Sequence, residues 1–362
     1  MSDARQAVGT ARSRIDRELS PSGRARDASG TLAAYRTRSA AARESLAYRA
    51  DLAYGPHPAE RLHHFPPRRA GAPLVVFVHG GHWQESSKED ACFAAPALVG
   101  AGAGYAALGY GLAPERRPAE LSASVRLGLA WVREHAVELG GRPDTVFAAG
   151  SSAGAHLVAM AAGGPDGLPL AGLFLLSGLY DLEPVVGSYV NDALGLTAGQ
   201  AREQSPLFRA PPRGGRVLLA RGEHETDEYA RQQDAFAAML RGAVGGAGGG
   251  AGGHDGRESS GAGPGGAGGR ESSAARPGGA GGRSGRESSM AGPGGAGGRE
   301  GQGSAPDGSP TAGPATGGRA MGGLAVDELV VRGRDHFDLP FDLGDPTTVL
   351  GRAVLDRLGL AH

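Results

Sequence analysis

The chain predicts an α/β fold, a mostly parallel central sheet with helices on both faces, interrupted by a long Gly-rich insertion. Three observations predict it. Short apolar runs at Leu74–Val78, Thr145–Ala149, Ala171–Leu176, Val217–Ala220 and Glu328–Val331 read as strands. Between them lie helical patterns over Leu121–Leu139, Ala153–Ala162 and Glu228–Leu240. Strands that are apolar throughout are covered on both faces, and a parallel sheet of this kind presents its functional groups at the carboxyl ends of its strands. The third observation is a break in composition: from Gly245 to Arg319 the only large apolar residue is Met290.

That tract buries too little surface to offset the entropy of ordering it, so it is expected to be disordered. RESS recurs at 257–260, 270–273 and 286–289, with PGGAGGR blocks between, the pattern of a slipped low-complexity tract with no apolar face to stack. Closing a loop of about 80 residues instead of about 5 costs only about 2–3 kcal/mol, so the insertion can sit between two elements of one domain. The expected organisation is a polar N-terminal segment (1–30), the first part of the α/β domain (31–242), the insertion (243–322) and a C-terminal part of the same domain (323–362).

Charge and cysteine usage narrow the function. With 37 Lys+Arg against 38 Asp+Glu in 362 residues, the net charge is −1, and no overall field draws the chain to nucleic acid or an anionic membrane. No run approaches the roughly 18 apolar residues of a membrane span, and the polar, Arg-rich beginning lacks the apolar core of a signal peptide. A cytoplasmic protein without nucleic-acid or membrane partners is expected. Cys92 is the only cysteine, which excludes an internal disulfide and a cysteine metal cluster, and it reads as a small buried hydrophobe.

The chemistry gathers at three places. Gly150-Ser151-Ser152-Ala153-Gly154 is weak as a bare GxSxG in a chain with 65 glycines, but it follows a strand and opens into a helix, the setting of a nucleophile elbow. Ser152 is the candidate nucleophile; Ser151 has alanines where the elbow needs glycines. A serine needs a base oriented by a carboxylate, in the chain order Ser, acid, His. His336, in Arg332-Gly-Arg-Asp-His-Phe-Asp338 after the last strand, is the base; His63, His64, His135 and His254 lie before the sheet, in a helix or in the insertion, and His156 is expected to pack. The acid belongs to Arg221-Gly-Glu-His-Glu-Thr-Asp-Glu-Tyr229, where local chemistry divides evenly between Glu225 and Asp227. Gly80, Gly81 and His82 follow the strand Leu74–Val78, where glycines let backbone N–H groups approach a developing oxyanion. Trp83 then floors or walls the pocket, or is core.

These motifs together resemble a known family. HGGHW, Gly109-Tyr-Gly-Leu-Ala-Pro114, GSSAGAHL, Ser177-Gly-Leu-Tyr-Asp-Leu-Glu-Pro184 and GRDHFDLP are similar to the α/β-hydrolase kynurenine formamidases, or arylformamidases, over most of the chain outside the insertion. The resemblance implies the α/β-hydrolase fold and deformylation of N-formyl-L-kynurenine in tryptophan catabolism. Glu228-Tyr229 with Arg231-Gln232 reproduces the family's spacing after its acid, which selects Glu225, where many relatives carry Asp. His82 stands where the family often has Tyr. The implied machinery is Ser152, His336 and Glu225, with the N–H groups of Gly81, His82 and Ala153 as oxyanion hole. Tyr189 and Asn191, with Trp83, are candidates for the substrate pocket. No metal or other cofactor is expected, since neither HExxH nor a His/Asp set at ligand spacing occurs. The expected partner is a small aryl formamide or ester, and a homodimer stays open. The alternatives are a carboxylesterase of the hormone-sensitive-lipase-like type and a non-catalytic binding protein on the same fold; an intact candidate triad argues against the last.

Overall fold

A computed structural model describes residues 12–213, 215–247 and 324–360. Eight strands form one sheet in the order β1-β2-β4-β3-β5-β6-β7-β8. These are β1 (Arg49–Ala53), β2 (Arg61–Phe65), β3 (Leu74–Val78), β4 (Gly104–Leu108), β5 (Val146–Ser151), β6 (Gly172–Leu176), β7 (Arg216–His224) and β8 (Ala325–Asp335). β1 pairs with β2 and β2 with β4 antiparallel. Every pairing from β4 through β3, β5, β6 and β7 to β8 is parallel.

The five strands read from the sequence all form. The three without a periodic signal are β1, β2 and β4: Arg49-Ala-Asp-Leu-Ala53 is mostly exposed and carries two charges, Arg61-Leu-His-His-Phe65 shows no alternation, and Gly104-Tyr-Ala-Ala-Leu108 is too poor in β-branched residues to signal a strand. β7 and β8 also run longer than their apolar runs, because they pair with each other from Arg216↔Ala325 to His224↔Asp335.

β3, β4, β5 and β6 are buried along their whole length. Alternate residues of β3 enter two cores on opposite faces: Leu74, Val76 and Val78 in one, Val75 and Phe77 in the other. Helix Pro118–Glu134 begins with proline at its first turn, and Glu120 turns back to accept from the Arg117 N–H at 2.7 Å. Its Leu121, Val125, Leu129 and Val132 form the stripe laid on the sheet. Helix Ala153–Ala162 is apolar on all sides, and all ten of its residues are buried.

Residues 12–247 and 324–360 belong to one compact unit, so the two sides of the insertion share a sheet. The predicted insertion itself, beyond Ala247 and up to residue 323, lies outside the described residues. The polar beginning is more than a tail. Leu19 is fully buried in the core, Thr226 Oγ1 donates to the Glu18 carbonyl at 2.6 Å, and the Tyr189 N–H donates to Asp16 Oδ1 at 2.7 Å. Helix Ala28–Ser45, capped by Asp27 accepting from the Gly30 N–H at 2.9 Å, is fixed to the last loop where Tyr35 donates to the Phe337 carbonyl at 2.7 Å. No helix among the described residues is long and apolar enough to cross a membrane.

Candidate active site

Parallel pairing keeps the strand ends level: Val78 stands opposite Gly150, and Ser151 opposite Leu176. The loops that follow β3, β5, β6, β7 and β8 therefore meet at one edge of the sheet, and His79–Trp83, Ser152, Ser177, Glu225 and His336 arrive together.

Ser152 occupies the turn between β5 and helix Ala153–Ala162 with φ 55° and ψ −119°, a strained left-handed backbone for a residue with a Cβ. The sharp turn is compatible only with a bare neighbour, since a Cβ on Gly154 would lie 2.0 Å from the Val78 carbonyl oxygen. Gly81, at φ +100°, is under the same constraint, with the Glu85 carbonyl oxygen 2.3 Å from where a Cβ would sit. His82 and Trp83 share its left-handed backbone at φ 48° and 62°, so three successive residues curl the loop. Among the described residues, the backbone N–H groups of Gly81, His82 and Ala153 have no hydrogen-bond acceptor, which leaves them free for a ligand oxygen at this edge.

His336 Nδ1 stands 3.0 Å from Glu225 Oε2, and both side chains are buried. The other carboxylate oxygen, Oε1, accepts from the Ser177 hydroxyl. With Nδ1 donating to the carboxylate, Nε2 is the nitrogen left to take a proton. The remaining carboxylates of this loop are placed elsewhere: Glu223 lies within β7 and accepts from the Gly333 N–H at 2.8 Å, Asp227 is exposed at the start of helix Asp227–Ala247, and Glu228 is paired with Arg231 at 2.6 Å.

Tyr229, one position further, carries no local sequence signal of a place in the site. It is fully buried, its ring lies edge-on to His336 at 4.5 Å between centroids, its hydroxyl stands 3.3 Å from His82 Nε2, and it interacts with the Ser152 side chain. Burial raises the Tyr229 pKa well above its ordinary value. Burial, followed by the nearby His336, pushes His82 down to about 4, so this imidazole is neutral at physiological pH. Ser152 and His336 line one cleft.

The cleft encloses about 690 Å³, with Ser152, His336, His79, Gly81, His82 and Tyr189 among its lining residues. Tyr189 lines this cleft, and its hydroxyl accepts from Ser20 at 3.2 Å. Two pocket candidates are corrected. Trp83 is fully buried in the core, its indole N–H donating to His156 Nδ1 at 3.2 Å, because its left-handed backbone turns the side chain away from the cleft. Asn191 is used up by its own loop, donating to the Val186 and Leu196 carbonyls at 3.2 and 3.0 Å and accepting from the Leu196 N–H at 2.8 Å. His156 packs, as its place in the helix suggested, and Cys92 is a buried thiol that burial pushes up to about 11.

Asp51, His63 and Glu89 also come together, at a place where the chain supplies its own cation: the Lys88 ammonium bonds Asp51 at 3.0 Å and also bonds Glu89.

A parallel sheet with a serine on a strained strand–helix turn, a buried carboxylate–imidazole pair and free N–H groups around one cleft defines an α/β hydrolase. Comparison with known proteins agrees. The family model BD-FAE matches residues 64–166. A crystal structure from Silicibacter sp. that carries a provisional thioesterase description superposes with a TM-score of 0.57 at 25% identity, over 62% of this chain and 86% of that one. The kynurenine formamidase of Danio rerio is 31% identical over 205 residues, 53% of this chain and 69% of that protein, and that of Salmo salar is 30% identical over 207 residues, 54% and 69%. The chain belongs to the kynurenine formamidase family.

Proposed function

We propose that the chain is a serine hydrolase that cleaves N-formyl-L-kynurenine, or a closely related aryl formamide, to the free aryl amine and formate, acting as a cytoplasmic enzyme of tryptophan catabolism. The observation that carries the reading is the buried Glu225–His336 pair opening on the same cleft as the strained Ser152, in a chain of this family.

In this mechanism Ser152 Oγ attacks the formyl carbon as His336 Nε2 takes the hydroxyl proton. Glu225 keeps Nδ1 protonated and stabilises the imidazolium that forms, while the N–H groups of Gly81, His82 and Ala153 receive the oxyanion. The C–N bond then breaks as His336 returns its proton to the departing amine nitrogen, leaving a formyl ester on Ser152. Water, deprotonated by His336, attacks that ester, and formate leaves as Ser152 recovers its proton. Every step uses only chain groups and water.

The test is incubation with N-formylkynurenine, following kynurenine absorbance, beside Ser152→Ala. Turnover that disappears in the variant supports both nucleophile and substrate. Ester hydrolysis without formamide turnover would move the function to the carboxylesterase alternative, since the two reactions share machinery and differ in leaving group and pocket.

A further inference from the structure

The cleft has two chemically different ends. Ser152, His336 and His79 are buried at its floor, while Leu32, Arg36, Glu85 and Ser86 are exposed at its mouth. Arg36 is the only Lys or Arg in its described lining. The other arginines of helix Ala28–Ser45 are occupied: Arg38 lies over the Phe341 ring at 4.0 Å, and Arg43 donates to the Glu89 carbonyl. Arg36 has no ion pair or hydrogen bond with any described residue. Its place is nonetheless fixed, because the adjacent Tyr35 donates to the Phe337 carbonyl at 2.7 Å, tying this turn of helix to the loop that carries His336.

Glu85 is free in the same sense. Its carboxylate has no partner among the described residues, while its N–H donates to the Gly81 carbonyl at 2.9 Å, so its backbone moves with the loop that curls beneath the cleft. The other cleft carboxylate, Asp90, accepts from the Ser87 hydroxyl at 3.2 Å. Opposite charges thus line one cleft mouth without pairing with each other, and both stay available to a ligand that carries both signs.

We propose that Arg36 and Glu85 are specificity residues that bind the zwitterionic α-amino-acid end of the substrate, the guanidinium taking the α-carboxylate and the carboxylate taking the α-ammonium, while the formamide occupies the buried end. The assignment rests on the formamidase reading of this site and adds to it the residues that read the amino-acid end of the substrate. A planar guanidinium fork matches a carboxylate in two parallel hydrogen bonds, and at an exposed mouth neither charge is desolvated until the ligand arrives.

The experiment compares N-formylkynurenine with 2′-formamidoacetophenone, which keeps the aryl formamide and its neighbouring ketone and lacks the amino-acid end. The readout is the ratio of their kcat/KM values. Arg36→Ala should lower this ratio about tenfold, mainly through KM for N-formylkynurenine, with Arg36→Lys recovering part of it and Glu85→Gln lowering it several-fold. A ratio unchanged in Arg36→Ala, or equal losses on both substrates, would overturn the assignment. Wild-type protein that cleaves both formamides equally well would overturn it while leaving the formamidase reading intact; wild type that cleaves aryl esters and neither formamide would bring down the formamidase reading, and this assignment with it.

Discussion

Replacing Glu225 by glutamine tests the core of the mechanism with almost no change in shape. Glu225 Oε2 lies 3.0 Å from His336 Nδ1, with side-chain exposures of 2% and 6%, so water screens the pair little. If the new amide turns its NH2 toward Nδ1, the imidazole must carry its proton on Nε2 and cannot receive the one from Ser152. If it turns its oxygen, the tautomer survives but the imidazolium formed during attack loses its counter-charge. Two unit charges about 4 Å apart at an effective dielectric of about 20 interact by about 4 kcal/mol, which is about a thousandfold in rate. Glu225→Gln is therefore expected to lower kcat about a thousandfold or more, with KM and the melting temperature close to wild type. Glu225→Asp, which keeps the charge on a shorter arm, should lose much less. Steady-state kinetics on N-formylkynurenine with thermal melts of each variant make the measurement. Activity of Glu225→Gln within tenfold of wild type, in a protein that melts normally, would refute the role given to Glu225.

Four further outcomes are expected. Tyr229→Phe keeps the ring beside His336 but removes the hydroxyl that meets His82 and Ser152, so kcat should drop about fivefold, one lost hydrogen bond being worth about 1 kcal/mol, with KM nearly constant; a change in KM alone would contradict it. Gly154→Ala puts a Cβ 2.0 Å from the Val78 carbonyl oxygen and should cost about 3 kcal/mol or prevent folding, read as a fall in denaturation midpoint. Burial holds His79 and His156 down at about 4, and His156 is locked neutral because Nδ1 accepts from Trp83 while Nε2 faces the Gln204 carbonyl at 2.6 Å. Unfolded histidine titrates near about 6.5, so the unfolded chain binds more protons between these values; stability is full above that window and falls as pH drops through it, by up to about 1.4 kcal/mol per pH unit per site. Melting temperatures equal at pH 7 and 4.5 would contradict this. Replacing residues 248–323 with a Gly/Ser linker of roughly ten residues should leave activity within a few-fold, because β8 is held by its own ladder to β7 and by the Arg241–Glu328 ion pair; a loss of folding would show the insertion to be structural.

The sequence by itself determined the fold class and the chemically distinctive parts of the site. Short apolar runs bounded by turn signals read as covered strands, and a serine between glycines at a strand–helix junction reads as a nucleophile elbow, so β3, β5, β6 and the candidates Ser152 and His336 were legible in the sequence. The choice between Glu225 and Asp227 was not open to local chemistry; the resemblance selected Glu225, and the structure brings it to His336 while Asp227 faces solvent. The strand β4, Gly104-Tyr-Ala-Ala-Leu108 with no β-branched residue, owes its state to neighbours on both sides, which no periodicity records. Only the tertiary structure decided that Trp83 faces the core, that Asn191 is consumed by its own turn, and that Tyr229 meets Ser152 across 77 positions of chain. It also decided that a polar N-terminal segment walls the cleft. These outcomes depend on side-chain direction and on which distant loops the parallel register brings level, and neither quantity is a property of any short stretch of sequence.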